Sequence, residues 1–184
     1  MSIEQDLRNW SKYVLEVPNK HLNGLPACPF ARKAWIDNKV RVIEVEDDVI
    51  LSAIHNRHQV GQYELVVIAS YAIPDPDAMY RTIEAMNILC AKEDVYFMCF
   101  HPEYGAEDAE LDFLYDTDWE SDIDADYCMI FIQSLSMVDD ASKQLEEKGY
   151  YQNIPEDEYQ NLVLKRRQLL EEQNHDEAKS NEKD

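Results

Sequence analysis

The run Val95–Phe100 (V-Y-F-M-C-F), closed at once by His101-Pro102, constrains this chain more than any other stretch. Six aromatic, branched and apolar residues ended by a proline are too few for a buried helix and fit a core strand that stops in a polar turn. Val40–Val45 and the nearly continuous Tyr63–Ser70 share that character, as does Tyr127–Gln133. Helical periodicity fills the gaps between the first three, so the order reads β-α-β-α-β, a long loop, then β-α-α. The expectation is an α/β (or α+β) single domain over residues 1–172. It has a four-stranded mixed sheet with helices packed on it and additional N- and C-terminal helices. A three-layer sandwich and a two-layer ferredoxin-like arrangement both satisfy this order. The crossovers are right-handed if the strands they join are parallel neighbours, and the third and fourth strands can pair antiparallel through the loop.

Caps and breakers set the helix boundaries. Ile3, Leu7, Trp10 and Val14 recur at helical spacing after Ser2, with Gln5 completing a capping box, so a helix is predicted over 3–16, stopped by Pro18. Residues 20–28 are too punctuated to be regular. Pro29 is placed to open a short helix carrying Phe30, Ala34 and Trp35 inward. Asp47 or Asp48 caps a helix running to about His58, and Asp75-Pro76 opens one with Met79, Ile83, Met86 and Cys90 on one face. Ser136 and Asp139 predict a capping box for a helix with the stripe Val138, Ala141 and Leu145, ended by Gly149. Pro155 starts a last helix, and from 173 to 184 no apolar pattern remains, which predicts a disordered acidic tail.

Charge is the strongest numerical signal. The 184 residues carry 38 Asp and Glu against 17 Lys and Arg, and residues 93–142 hold 15 of those acids and no base. Such a field repels nucleic acid and anionic membranes and attracts a basic protein or a cation. No segment has the length of a membrane span, and the N-terminus is acidic and amphipathic, unlike a secretion signal. Cys28, Cys90, Cys99 and Cys128 lack paired spacing, which predicts reduced thiols in a cytoplasmic protein. Glycine-rich phosphate cradles are absent, so nucleotide binding by a P-loop or Rossmann turn is not expected, and no cofactor is.

Two segments carry a resemblance. Leu25-Pro26-Ala27-Cys28-Pro29-Phe30-Ala31 resembles the L-C-P-F-A signature of a little-characterised family of small bacterial cytosolic domains of unknown function, and Phe100-His101-Pro102-Glu103-Tyr104 is similar to its F-H-P-x-Y segment. Met129–Ala141 is similar in outline to the family's later strand-to-helix passage. The chain departs in having Pro26-Ala27 before Cys28, and acids between Tyr115 and Tyr127 where the family has N-R-S-P-Y-P. The resemblance implies a shared fold and site region, with no established activity.

The residues support three functional readings. In the first, Cys28 and His101 form a catalytic pair in a cleft at the strand ends, with Arg32 and Tyr104 binding an anionic small molecule; helix dipole and histidine would activate the thiol. In the second, residues 103–126 dock a basic protein through Asp116, Asp118, Glu120, Asp122, Asp124 and Asp126, with no enzymatic activity. A metal-dependent enzyme is the third, drawing on His101, Glu103 and the acidic loop with His55 or His58. No zinc or iron is expected, because oxygen-rich sites of this kind favour weakly held hard cations.

Overall fold

The computed structural model describes residues 2–103 and 127–181. Helix α1 (Ile3–Trp10) continues as a π-helical turn, Ser11–Leu15. The punctuated segment is an ordered loop with a single 3-10 turn at Lys20–Leu22, and α2 (Ala31–Ile36) comes after it. Then come β1 (Val40–Val45), α3 (Val49–Asn56), β2 (Leu65–Ser70), α4 (Pro76–Cys90) and β3 (Val95–Phe100). β4 (Cys128–Ser134) leads directly into α5 (Leu135–Glu147). The C-terminal helix comprises α6 (Glu156–Tyr159), a π turn at Gln160–Leu164, and α7 (Lys165–Asn181). Its backbone stays helical past Gln173, where the sequence predicts disorder; Glu, Gln, Lys and Ala propagate a helix without an apolar stripe.

The sheet order is β1-β2-β4-β3, with β1 parallel to β2 and β4 antiparallel to both β2 and β3. Among the two α-helical crossovers, β1-α3-β2 joins parallel neighbours, whereas β2-α4-β3 steps over β4. Alternation along the strands then makes two cores. Val66, Ile68, Cys128, Ile130, Ile132, Val95 and Phe97 pack under α3 and α4; Val67, Ala69, Met129 and Phe131 pack under Ile3, Leu7, Trp10 and Val14 of the first helix. The result is three layers, one domain. Each fully buried aliphatic side chain contributes roughly 2 kcal/mol of transfer free energy, so these four anchors suffice to hold the first helix on the sheet.

Most predicted caps form. Ser2 Oγ accepts the Gln5 N–H at 3.2 Å, although the Gln5 side chain turns to Asn9 and leaves the box half made. Asp48 caps α3, Asp75 caps α4, and Gly149 takes φ +72° past the end of α5. Two expectations are corrected. Ser134, not Ser136, caps α5, because Asp94 takes the Ser136 N–H at 2.7 Å and its hydroxyl at 2.8 Å. On the inner face of α5, Leu145 is buried as predicted, but Asp139 and Ser142 take the places expected for Val138 and Ala141, one position earlier, so that the face is partly polar. In α2, Pro29 lies in a turn ahead of the helix and Phe30 is 39% exposed rather than inward.

Candidate functional site

The end of the sheet where β1, β2 and β3 finish is where ligands meet open α/β sheets. Val45, Ser70 and Phe100 end there, and Cys128 starts β4 beside Ser70. The termini of three helices converge on it. The Ile3 N–H donates to Glu44 Oε1 at 2.9 Å, bringing the start of α1 to the end of β1. Ser70 Oγ donates to the Asp47 carbonyl at 3.2 Å and accepts the Ala72 N–H at 3.0 Å, tying the approaches to α3 and α4 together.

His101 closes this end. Its side chain is buried, with Nε2 2.9 Å from the Pro74 carbonyl, while Nδ1 accepts the Glu103 N–H at 3.1 Å. A nitrogen that accepts a backbone N–H carries no proton of its own, so the ring is the Nε2–H tautomer and donates to Pro74. Both nitrogens are engaged, and the imidazole ties the end of β3 to the segment entering α4. To act as a base, it would have to give up its bond to Glu103.

Cys28 lies at the opposite end. Its N–H donates to the Leu15 carbonyl in the last turn of the first helix, and the Tyr150 hydroxyl donates to the adjacent Ala27 carbonyl at 2.6 Å. α1 begins beside the end of β1 and runs back across the sheet, and α2 leads from Cys28 into the start of β1. Cys28 and His101 are thus separated by the length of a six-residue strand, about 20 Å. Burial pushes the Cys28 thiol pKa up, outweighing the hydrogen bonds from the Phe30 and Ala31 backbone, and Glu16 raises it further. The thiol is neutral near pH 7, not the thiolate expected of a helix terminus. Arg32 is exposed on α2 beside Cys28 and has no ion-pair partner among the described residues. Lys33 pairs with Asp37, and Lys39 Nζ reaches the Gln62 carbonyl. The two segments that carry the family resemblance therefore sit at opposite ends of the sheet. Tyr104 and Asp116, Asp118, Glu120, Asp122, Asp124 and Asp126 lie outside the described residues.

One feature of the strand-end surface is illegible without the topology. Glu4 and Asp6 of α1, Glu44 of β1, Glu46 and the Asp47-Asp48 pair before α3, Asp75 and Asp77 at α4, and Glu103 after β3 all collect there. The segments that meet at this end (2–6, 44–49, 70–77, 101–103 and 127–128) contain no Lys or Arg. Several of these carboxylates sit at helix N-termini, whose dipoles and free N–H groups favour negative charge. Residues 103 and 127, which flank the acidic segment, also lie here. Its 10 acids between 104 and 126 are thus tethered at both ends to a surface that is already acidic. Tyr71 and Ile73 add exposed apolar area, with Tyr71 edge-on to Tyr127 at 5.7 Å. The cations lie away from this end and among acids of their own: Lys39 before β1, Lys92 before β3, Arg57 paired with Glu93, and Lys143, Lys148 and Lys165–Arg167 along α5 and the C-terminal helix, so that outside the strand-end surface and residues 104–126 the sequence carries 17 Lys and Arg against 19 Asp and Glu.

Among the described residues, no group of three His, Cys, Asp or Glu is arranged to hold a metal ion. His55 and His58 meet edge-on at the end of α3, with His58 Nδ1 2.8 Å from the His55 carbonyl, and are not brought to His101. No helix among the described residues is long and apolar enough to cross a membrane. No family model, curated protein or solved structure matches this chain.

Proposed function

We propose that this protein is a non-enzymatic acidic adaptor that binds a Lys/Arg-rich protein segment at the strand-end surface and through residues 103–126. The observation that carries this reading is the uneven charge of the molecule, with carboxylates unopposed by any Lys or Arg at the end that bears the acidic segment and a near balance of acids and bases elsewhere. A one-sided negative field of this kind steers and orients a basic partner and raises its on-rate, strongly at low salt. Tyr71 and Ile73 supply apolar contact inside the acidic rim. The alternative, a small-molecule enzyme built on Cys28, Arg32, His101 and Tyr104, requires residues at opposite ends to act together and a histidine whose two nitrogens are already engaged.

The test is fluorescence anisotropy with a labelled Lys/Arg-rich peptide, at low and at physiological salt. Replacing Asp116, Asp118, Glu120, Asp122, Asp124 and Asp126 by Asn or Gln is expected to weaken binding about tenfold or more at low salt and to flatten its salt dependence, since screening acts over about 10 Å. A matched variant with Glu147, Glu156, Asp157, Glu158, Glu171 and Glu172 neutralised removes the same charge elsewhere and should bind within about twofold of wild type, because screening confines the field to its own end. Equal losses in the two variants would show non-specific net-charge attraction and defeat the proposal.

A further inference from the structure

In the sequence, Lys165-Arg166-Arg167 is a run of bases too short to be a nucleic-acid determinant, and its middle residue falls on or near the face of the last helix that carries Tyr159, Leu162, Val163 and Leu170. The fold turns its middle residue inward: Arg166 is only 7% exposed, whereas the Lys165 side chain is 63% exposed. The π turn at Gln160–Leu164 sits immediately before it. A single π turn shifts the register of the helix beyond it by about one residue, or roughly 100°, and such turns recur at functional sites. Arg166 Nη2 donates to Ser142 Oγ on α5 at 2.7 Å, Tyr151 lies near enough to favour its charged form, and the guanidinium carbon lies 5.7 Å from the centre of the Tyr96 ring. Nε is buried with no hydrogen-bond partner among the described residues, and no described carboxylate lies within 4.0 Å of the group. Asp139, buried in the same layer, is already held by Lys143 at 2.7 Å and Arg167 at 3.4 Å.

A buried cation with an unmet N–H and no counter-charge is costly to keep. Tyr96 and Ser142 offset part of that cost. A planar oxyanion would offset the rest, since Nε–H is one prong of the fork with which arginine grips carboxylate and phosphate. We propose that Arg166 anchors a site for a small oxyanion, a phosphate or carboxylate group, between α5 and the C-terminal helix, with Ser142, Tyr96 and Tyr151 as its walls. Burial also lowers the pKa of Arg166, a shift that a bound anion would reverse. The site is independent of the acidic surface and lies towards the other end of β3.

The experiment is thermal unfolding of the full chain at fixed ionic strength, with chloride replaced stepwise by inorganic phosphate or by acetate. Wild-type Tm should rise saturably with at least one of the two anions, and which one identifies the ligand class. Arg166→Met, which keeps the packing and removes the charge, should lose the saturable rise and keep only the shallow, non-saturating increase that kosmotropic phosphate gives any folded protein. As a second readout, the Arg166 Nε–H resonance of wild type should move with the same midpoint; this decides the matter even if the variant fails to fold. The absence of any saturable rise in wild type, a saturable rise retained by R166M, or a resonance that does not move would overturn the site and leave Arg166 a structural core cation.

Discussion

Removing the His101 imidazole separates a structural tie from a catalytic base. In His101→Ala, the Pro74 carbonyl and the Glu103 N–H lose their partners, at 2.9 and 3.1 Å, and the buried ring leaves a void. Glu103 is exposed, so its N–H recovers a bond to water; the half-buried Pro74 carbonyl recovers less. An unmet partly buried acceptor costs about 1–2 kcal/mol, and the lost ring packing adds a similar amount, for a total of about 2–4 kcal/mol. For a chain of this length, that corresponds to a fall in Tm of roughly 5–12 °C. Differential scanning calorimetry measures it. His101→Gln, whose amide reaches the Nε2 position and can donate to Pro74, should recover about 1 kcal/mol. If H101A melts within about 2 °C of wild type, less than a 1 kcal/mol loss would give, the imidazole is no tie, and its burial calls for a functional reason.

Buried polar groups lead to two further expected outcomes. Asn87 of α4 grips the edge strand with both ends of its amide, accepting the Phe97 N–H at 2.7 Å and donating to the Phe97 carbonyl at 3.0 Å. Asn87→Ala leaves both unmet and should cost about 2–4 kcal/mol in urea unfolding; a loss under about 0.5 kcal/mol would mean that water replaces the amide. Burial raises the Cys99 thiol pKa from 9.0 to about 11. A raised thiol pKa favours the folded state above the unfolded value less and less, because the unfolded chain gains by ionising while the folded one does not. Wild type should therefore lose up to about 2–3 kcal/mol more than Cys99→Ala as pH rises from about 9 to about 11; parallel curves for the two would refute the assignment.

The strands were legible because their side chains must fill a core from one or both faces, and β1 and β3 fall on the predicted residues. The caps at Ser2, Asp48 and Asp75 were legible because they act within three residues. Strand order was not, since placing β4 between β2 and β3 depends on long-range pairing that no local pattern encodes. Ser134 and Ser136 offer the same chemistry, and only Asp94, distant in the chain, decides which one caps α5. The acidic strand-end surface assembles from several separate segments, each locally explained as a cap or turn. Helical spacing already sets Arg166 apart from its basic neighbours, on or near the face of the last helix that carries Tyr159, Leu162, Val163 and Leu170; what it meets there, Ser142 of α5, depends on long-range packing.

The most direct test of the adaptor reading is an amide-resolved NMR footprint of the isotope-labelled full chain titrated with the same Lys/Arg-rich peptide. The account predicts saturable shifts concentrated at Glu46–Val49, Tyr71–Asp77, His101–Glu103 and within 104–126, with Leu25–Trp35 and α5 unmoved. Shifts centred on Cys28 and α2, or spread evenly over every acidic residue without saturating, would contradict it.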